Sequence, residues 1–393
     1  MRILFFALDI DLSLPRGDSI HAFSLASALA RAGHPVHMVV GSAKDAVGSE
    51  GFELSIHPDE SDFRILLYAQ QVARRLRPDV IYERRFSPKI SAAVSIMTRK
   101  PYVVEYNGIV DEEAAMQGRP IPRTRRWRFK ASLRMSMLRR AAAVVTVTER
   151  LREVVVSEYG VRSSRAFLVE NGVDPGLFRP IDRVVAREIL GLDPGPIVCF
   201  VGNLVGWQGI EVLLEAIKTL HDSVRVILVG DGPDRQQLVD HAKKLNVLAR
   251  VEFIGSVPHD RVPLYIAASD VCVAPFTAQR NERSGVSPLK LYEYIACARP
   301  VVVTGIAGAR ELVESTGSGI VVPPDDPGAL GDAIHRMLQD PTFIAAANRA
   351  GEIVRRERSW DSVAASVTRV LRIVTDSQRQ PNDSISRDAR GQT

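Results

Sequence analysis

A chain of 393 residues is too long for one ordinary hydrophobic core, so its length alone calls for two domains. With 46% hydrophobic and 25% charged residues the composition is that of a soluble globular protein, and no uncharged apolar run approaches the ~18 residues of a membrane span. The net charge of +5 does not point to a nucleic-acid partner, because the excess is gathered in one place: Arg119 to Arg140 holds nine Arg or Lys and no acidic residue, with no base-reading motif beside it.

The opening MRILFFALDID has too short an apolar run for a signal-peptide core and reads as a first buried strand. From there short runs rich in Val and Ile alternate with amphipathic stretches, the pattern of parallel βα units. Strands are expected at Arg2 to Leu8, Pro35 to Val40, Val80 to Tyr82, Tyr102 to Glu105, Ala143 to Val147 and Ala166 to Val169. The helix after the first strand is the clearest: Ala22, Leu25, Ala26, Leu29 and Ala30 recur at helical spacing, Asp18 or Ser19 can cap it, and Gly33 stops it. At NGVDPGLFRPID, Asn171 to Asp182, turn dipeptides and two prolines break the periodicity. It then restarts, with strands at Ile197 to Val201, Arg225 to Val229, Arg250 to Phe253, Val271 to Ala274, Pro300 to Val303 and Gly319 to Val322.

The expected architecture is α/β, two facing doubly wound parallel-sheet domains at residues 1–174 and 183–375, joined by a linker at 175–182 and followed by a polar, disordered tail at 376–393. Cys199, Cys272 and Cys297 stand far apart in apolar contexts without metal-ligand spacing, as buried thiols in a reducing cytoplasm would. In open parallel sheets ligands sit at the carboxyl ends of the strands, so function is expected in the strand-to-helix loops that face each other.

One of these loops opens SGVSPLKLYEYIACARPVVV, Ser284 to Val303. Ser287 suits an N-cap and Pro288 the first helical position, and the positive end of that helix invites an anion. Lys290 can reach back toward such an anion, and Glu293, on the same face, can accept two hydrogen bonds from a vicinal diol such as a ribose. Taken alone the pair reads as an exposed ion pair worth ~0.3 kcal/mol; the buried strand PVVV that follows and the glycine loops converging on the cleft favour the ligand reading. Two more loops, FVGNLVGWQG and ILVGDGPDRQQL, end strands in glycine, but neither is a dinucleotide fingerprint and no P-loop occurs, which argues against hydride and P-loop phosphoryl chemistry.

Together with PDVIYERR, NGVD, VEFIGSVP, SDVCVAP and EYIACARPVVVT, these segments make the chain similar to the large group-1 (family 4) retaining glycosyltransferases of GT-B fold, in order and spacing across about 350 residues. The resemblance implies two Rossmann-like domains, the first for an acceptor and the second for a nucleotide-sugar donor. It implies transfer of a sugar to an acceptor hydroxyl with retained configuration and neither metal nor further cofactor. Glu293 then matches the second carboxylate of an E-x7-E motif and would bind ribose, Ile254 and Gly255 would line the base, and Gly17 would let the first loop approach the diphosphate.

The chain departs from the family pattern at the site itself. Gly285 stands where the first carboxylate belongs, with Glu282 its nearest substitute, and Asn203 and Gln208 stand where the family has Arg and Lys. The expectation is that Lys290, helped by Arg283 and the Ser287 helix end, supplies the missing positive field. The usual glycine after the helix is Ala298. In the first domain Glu105 and Asn107 occupy the loop where the family often has a histidine, and one of them is expected to position a sugar hydroxyl; the other reading of Glu105 is a strand-end carboxylate paired with Arg84 or Arg85. His21 is expected to be a helix-surface or packed histidine, not a catalytic one.

The run from Arg119 to Arg140 interleaves cations with Trp127, Phe129, Leu133, Met137 and Leu138. It reads either as an amphipathic contact for an anionic membrane, suiting a lipid-linked acceptor in cell-surface polysaccharide or glycolipid synthesis, or as a core helix with solvated arginines. A nucleotide-sugar epimerase of the same fold, or a non-catalytic nucleotide-sugar binder, are the alternatives to a transferase.

Overall fold

The computed structural model describes residues 1–14, 16–43, 51–57, 61–84, 88–109 and 124–379. The first lobe runs β1 (Ile3–Asp11), α1 (Gly17–Arg31), β2 (Val36–Ser42), β3 (Glu53–Ile56), α2 (Asp62–Leu76), β4 (Val80–Arg84), α3 (Lys89–Thr98), β5 (Tyr102–Tyr106), α4 (Arg125–Arg140), β6 (Ala143–Thr146), α5 (Glu149–Ser157) and β7 (Ala166–Leu168). The second runs α6 (Arg183–Leu190), β8 (Ile197–Val201), α7 (Ile210–Ala216), β9 (Arg225–Val229), α8 (Arg235–Lys244), β10 (Val251–Gly255), α9 (Val262–Ala268), β11 (Val271–Ala274), α10 (Ala278–Ser284), α11 (Leu289–Ala296), β12 (Val301–Thr304), α12 (Ala309–Thr316), β13 (Gly319–Val322), α13 (Pro327–Gln339) and α14 (Thr342–Glu357). A last helix, α15, spans Trp360–Arg379.

The sheets have the orders β3-β2-β1-β4-β5-β6-β7 and β10-β9-β8-β11-β12-β13, with parallel neighbours throughout. Both orders reverse beside the first strand of their lobe, between β1 and β4 and between β8 and β11, and such a switch point leaves a crevice at the strand ends. The central strands are buried on both faces, which is why they read as continuous apolar runs: Ile3 to Ala7 and Val198 to Phe200 are fully enclosed.

Three expectations need correction here. The short strand β3 was not foreseen, because its ELSI sequence lies at the sheet edge, where half-exposed polar residues carry no apolar signal. Helix α1 begins at Gly17, ahead of the expected caps, and Ser19 Oγ instead accepts the Arg16 N–H at 3.1 Å. The boundary at residue 375 also moves. Trp360, Val363, Ala364, Val367, Val370, Leu371 and Val374 of α15 pack with Ile3, Phe5, Ala22, Leu25 and Leu29, so residues 360–379 belong to the first lobe's core. Residues 376–379 are helical, not tail, and the rest of the expected tail, 380–393, lies outside the described residues.

The two crossings between lobes lie side by side. Val173 N donates to Arg358 O at 2.8 Å and Trp360 N to Val173 O at 3.1 Å. The two crossing segments are thus hydrogen-bonded to each other.

Candidate active site

The cleft between the lobes holds a cavity of about 610 Å³ lined by Gly17, Gly202, Asn203, Gln208, Gly230 to Pro233, Ser256, Val257, Lys290 and Glu293, among others. Its floor is built by strand ends: β8 delivers Gly202 and Asn203, β9 delivers Gly230, and α11 enters from the other side. Gly202 has φ +146°, and a Cβ there would come within 2.5 Å of Lys290 Nζ, so a side chain at this position would displace that ammonium.

Lys290 is 8% exposed. Its Nζ donates to Gln208 Oε1 at 2.7 Å and sits 3.8 Å from the centre of the Phe200 ring. Burial pushes this ammonium down from its usual value to about 7, against the opposing pull of Glu293. A cation absent from position 208 in the sequence is thus delivered to Gln208 from α11. Glu293 lies on the same wall, and its Oε1 is 3.0 Å from His259 Nε2. His259 was not singled out in the sequence, where nothing beyond the loop position marks it.

Several candidates fall elsewhere. Helix α11 starts at Leu289 with Pro288 at its N-cap and no side-chain cap bond. Ser287 is therefore not the cap: its hydroxyl accepts from Asn171 N at 3.1 Å. Ile254 and Gly255 stop short of the cleft wall, which Ser256 and Val257 form, and the Gly255 carbonyl is taken by Gly230 N at 2.8 Å. Glu282 and Arg283 are exposed on α10 and line none of the cleft cavities; Arg283 pairs with Glu158 of the first lobe. Arg283 therefore adds little to the field at Lys290, and Glu282 does not replace the missing carboxylate. At Gly285 the backbone adopts φ +62° and ψ −177°, open essentially to glycine alone. A Cβ there would press on Ala307 O at 3.1 Å and Thr148 Cβ at 3.3 Å.

A second crevice of about 290 Å³ adjoins the first through Gly17 and Gln208 and is lined by His21, Arg84, Asn107, Asn171, Trp207, Arg280, Asn281, Gly285 and their neighbours. Glu105 does not reach its surface, being 2% exposed. It accepts from the Tyr82 hydroxyl at 2.5 Å and from Asn107 Nδ2 at 2.6 Å, and lies 3.5 Å from Arg84 Nε. His21 Nε2 approaches Glu105 Oε1 to 2.6 Å, an ion-pair contact off hydrogen-bond alignment. Burial alone would raise the Glu105 carboxyl, but His21, Arg84 and the Tyr82 hydroxyl outweigh it and hold the group at about 2. Glu105 is thus a charged anchor for the crevice wall, which corrects its expected place facing a sugar, and Arg85 lies outside the described residues. Asn107 does face the crevice, and with its Nδ2 given to Glu105 its buried Oδ1 has no hydrogen-bond partner among the described residues.

On the first lobe, α4 buries only Leu138; Phe129 is 70% and Leu133 47% exposed. Its arginines are largely solvated and Leu138 reaches the core, as the core-packed reading has it, while Phe129 and Leu133 stay in the open; Arg119 and Arg123 lie outside the described residues.

Comparison with known proteins follows the same division into lobes. Residues 195–340 match the profile described as Glycosyl transferases group 1, and residues 15–177 that described as Glycosyltransferase Family 4. A 2-deoxystreptamine glucosyltransferase of Streptomyces kanamyceticus is 28% identical over 54% of this chain and 56% of its own. A D-inositol 3-phosphate glycosyltransferase of Xylanimonas cellulosilytica is 30% identical over 61% and 58%. The chain thus spans little more than half the length of these curated relatives. In fold it is similar to Anabaena Alr3699/HepE, solved in complex with UDP-glucose, at a TM-score of 0.78 and 20% identity over 94% of this chain and 99% of that one.

Proposed function

This chain belongs to the group 1 glycosyltransferases of GT-B fold, and on that premise we propose that it moves a sugar from a nucleotide-diphosphate sugar to an acceptor hydroxyl with retained configuration and without a metal ion. The observation that carries this reading is Lys290, a buried cation held at Gln208 on the wall of an inter-lobe cleft, opposite Gly17. Gln208, the Phe200 ring and Glu293 offset part of the desolvation of that ammonium, and a bound anion would offset more.

In this reading the diphosphate lies against Lys290 and the start of α11, the ribose diol meets Glu293, and the base lies along Ser256 and Val257. The sugar then enters the adjoining crevice, where Asn107 Oδ1 accepts one of its hydroxyls. The bond from the anomeric carbon to the diphosphate oxygen breaks as the acceptor oxygen bonds to the same face, and the acceptor's proton passes to the departing diphosphate. Lys290 stabilises the charge that develops on that diphosphate. No side-chain base is needed, which fits a Glu105 sealed behind the wall.

The acceptor is proposed to be a sugar or a lipid-linked sugar reached at an anionic membrane. No helix among the described residues is long and apolar enough to cross a membrane, but α4 offers exposed Phe129 and Leu133 among its arginines. Helices α2 and α3 pack beside it in turn and expose Phe63, Leu67, Ile96 and Met97.

A thermal-shift panel of ADP, GDP, UDP and dTDP with their glucose conjugates tests the donor reading. One of them is expected to stabilise the fold by about 2.7 kcal/mol at a hundredfold excess over its Kd. Release of that nucleoside diphosphate, slow in water and accelerated by an acceptor, identifies a transferase; stabilisation with no turnover identifies a binder.

A further inference from the structure

A line of polar contacts runs from the buried core of the first lobe to the head of α11. His21, 5% exposed, has Nε2 2.6 Å from Glu105 Oε1 and Nδ1 2.7 Å from Asn171 Oδ1, with the Trp360 ring edge-on at 5.3 Å. Asn171 then grips Ser287 twice, its N–H donating to the Ser287 hydroxyl at 3.1 Å and its Nδ2 to the Ser287 carbonyl at 2.5 Å. Ser287 lies two residues before α11, which carries Lys290 and Glu293.

Donor and acceptor rules fix the protons along this line. The Ser287 carbonyl only accepts, so the Asn171 amide nitrogen faces it and the amide oxygen faces His21. That oxygen also only accepts, so Nδ1 carries a hydrogen. Nε2 faces the Glu105 carboxylate, off hydrogen-bond alignment. Around the His21 ring are Glu105 from β5, Tyr82 and Arg84 from β4 on that same carboxylate, Asn171 from the inter-lobe linker, Trp360 from α15 and, on its own helix, Asp18 at the crevice rim. Glu105 is the one carboxylate in contact with the ring among the described residues.

We propose that His21 is a positioning residue: seated against Glu105 and donating from Nδ1, it orients Asn171 so that Asn171 fixes the start of α11, and with it Lys290 and Glu293, in the place a nucleoside diphosphate requires. This rests on the donor reading above. His21 acts only through Asn171. An unfixed α11 would have to be ordered on binding, which weakens affinity while leaving both lobes folded.

The test is calorimetric titration of the full chain with ADP, GDP, UDP and dTDP, comparing wild type with Asn171→Asp, His21→Asn and His21→Leu, alongside thermal unfolding of each without ligand. Asn171→Asp keeps the size and the bond to His21 but turns an oxygen toward the Ser287 carbonyl. It is expected to weaken nucleoside diphosphate binding about tenfold, or about 1.4 kcal/mol, with little change in the ligand-free Tm. His21→Asn, whose amide can still donate to Asn171, should retain more affinity than His21→Leu, a rescue that a merely structural role would not show. Wild-type affinity in Asn171→Asp, or in His21→Leu should Asn171→Asp fail to fold, overturns this inference alone. A wild type that binds none of the four overturns the donor reading, and this inference with it.

Discussion

Ala298 closes α11 with φ +56°, a left-handed conformation that an alanine adopts at a cost of up to ~1 kcal/mol relative to glycine. Ala298→Gly should therefore raise Tm by about 2 °C in thermal unfolding. An unchanged or lower Tm would show that the strain is absent. Glu105 makes a different prediction. Its carboxyl, held at about 2 when folded against about 4.5 when unfolded, leaves the unfolded chain with more bound protons between those values. Its contribution, on the order of 3 kcal/mol, is then fully present above pH 4.5 and lost as pH falls through 2. Glu105→Gln should be less stable than wild type at pH 7, with the gap closing below pH 4.5; a gap independent of pH would place the charge elsewhere. The sequence showed Glu105 as a polar residue at a strand end, but not its partner His21, which lies 84 positions away in a contact that no local spacing encodes. The pairs of His259 with Glu293 and of Asn171 with Ser287 were hidden for the same reason. Lys290 stood out because its helix, its neighbour Glu293 and the two missing cations all lay within short, readable motifs.

At the scale of elements, α4 separates two uses of amphipathicity. A core helix hides its apolar stripe, whereas α4 leaves Phe129 and Leu133 in the open beside Arg125, Arg126 and Arg128. Changing those three arginines to Gln should abolish co-sedimentation with anionic vesicles while leaving nucleoside diphosphate binding intact. Equal binding to neutral vesicles, or no effect of the changes, would contradict a membrane role. Most strands were legible because burial on both faces of a parallel sheet leaves unbroken apolar runs; β3 was not, since its edge position lets its residues stay polar. The start of α11 was misread by a residue or two because Ser287, though of a capping type, is drawn away to Asn171.

For the molecule as a whole, the two-lobed architecture followed from the alternation of strands and helices and its interruption at Asn171 to Asp182. The destination of α15 did not, because an amphipathic helix shows that it has a buried face but not which sheet covers it. Its return to the first lobe ties the chain's end to its beginning, through Trp360 and six further buried side chains. A chain stopped before Trp360 should expose the apolar face of α1 and lose its cooperative unfolding transition, visible as aggregation in size exclusion; a monomeric, cooperatively folded product would show that the first lobe is complete without α15.

Lys290 as the cation for a diphosphate is tested most directly by titration of wild type and Lys290→Met with ADP, GDP, UDP and dTDP at pH 6.5 and 8.5. Because burial holds the ammonium at about 7, wild-type affinity should fall by up to about tenfold per pH unit above that value, as the site must first take up a proton. Lys290→Met, which removes a buried charge, should fold at least as well yet bind about a hundredfold more weakly and without that pH dependence. A folded Lys290→Met that binds as tightly as wild type, with the same pH profile, would contradict the account.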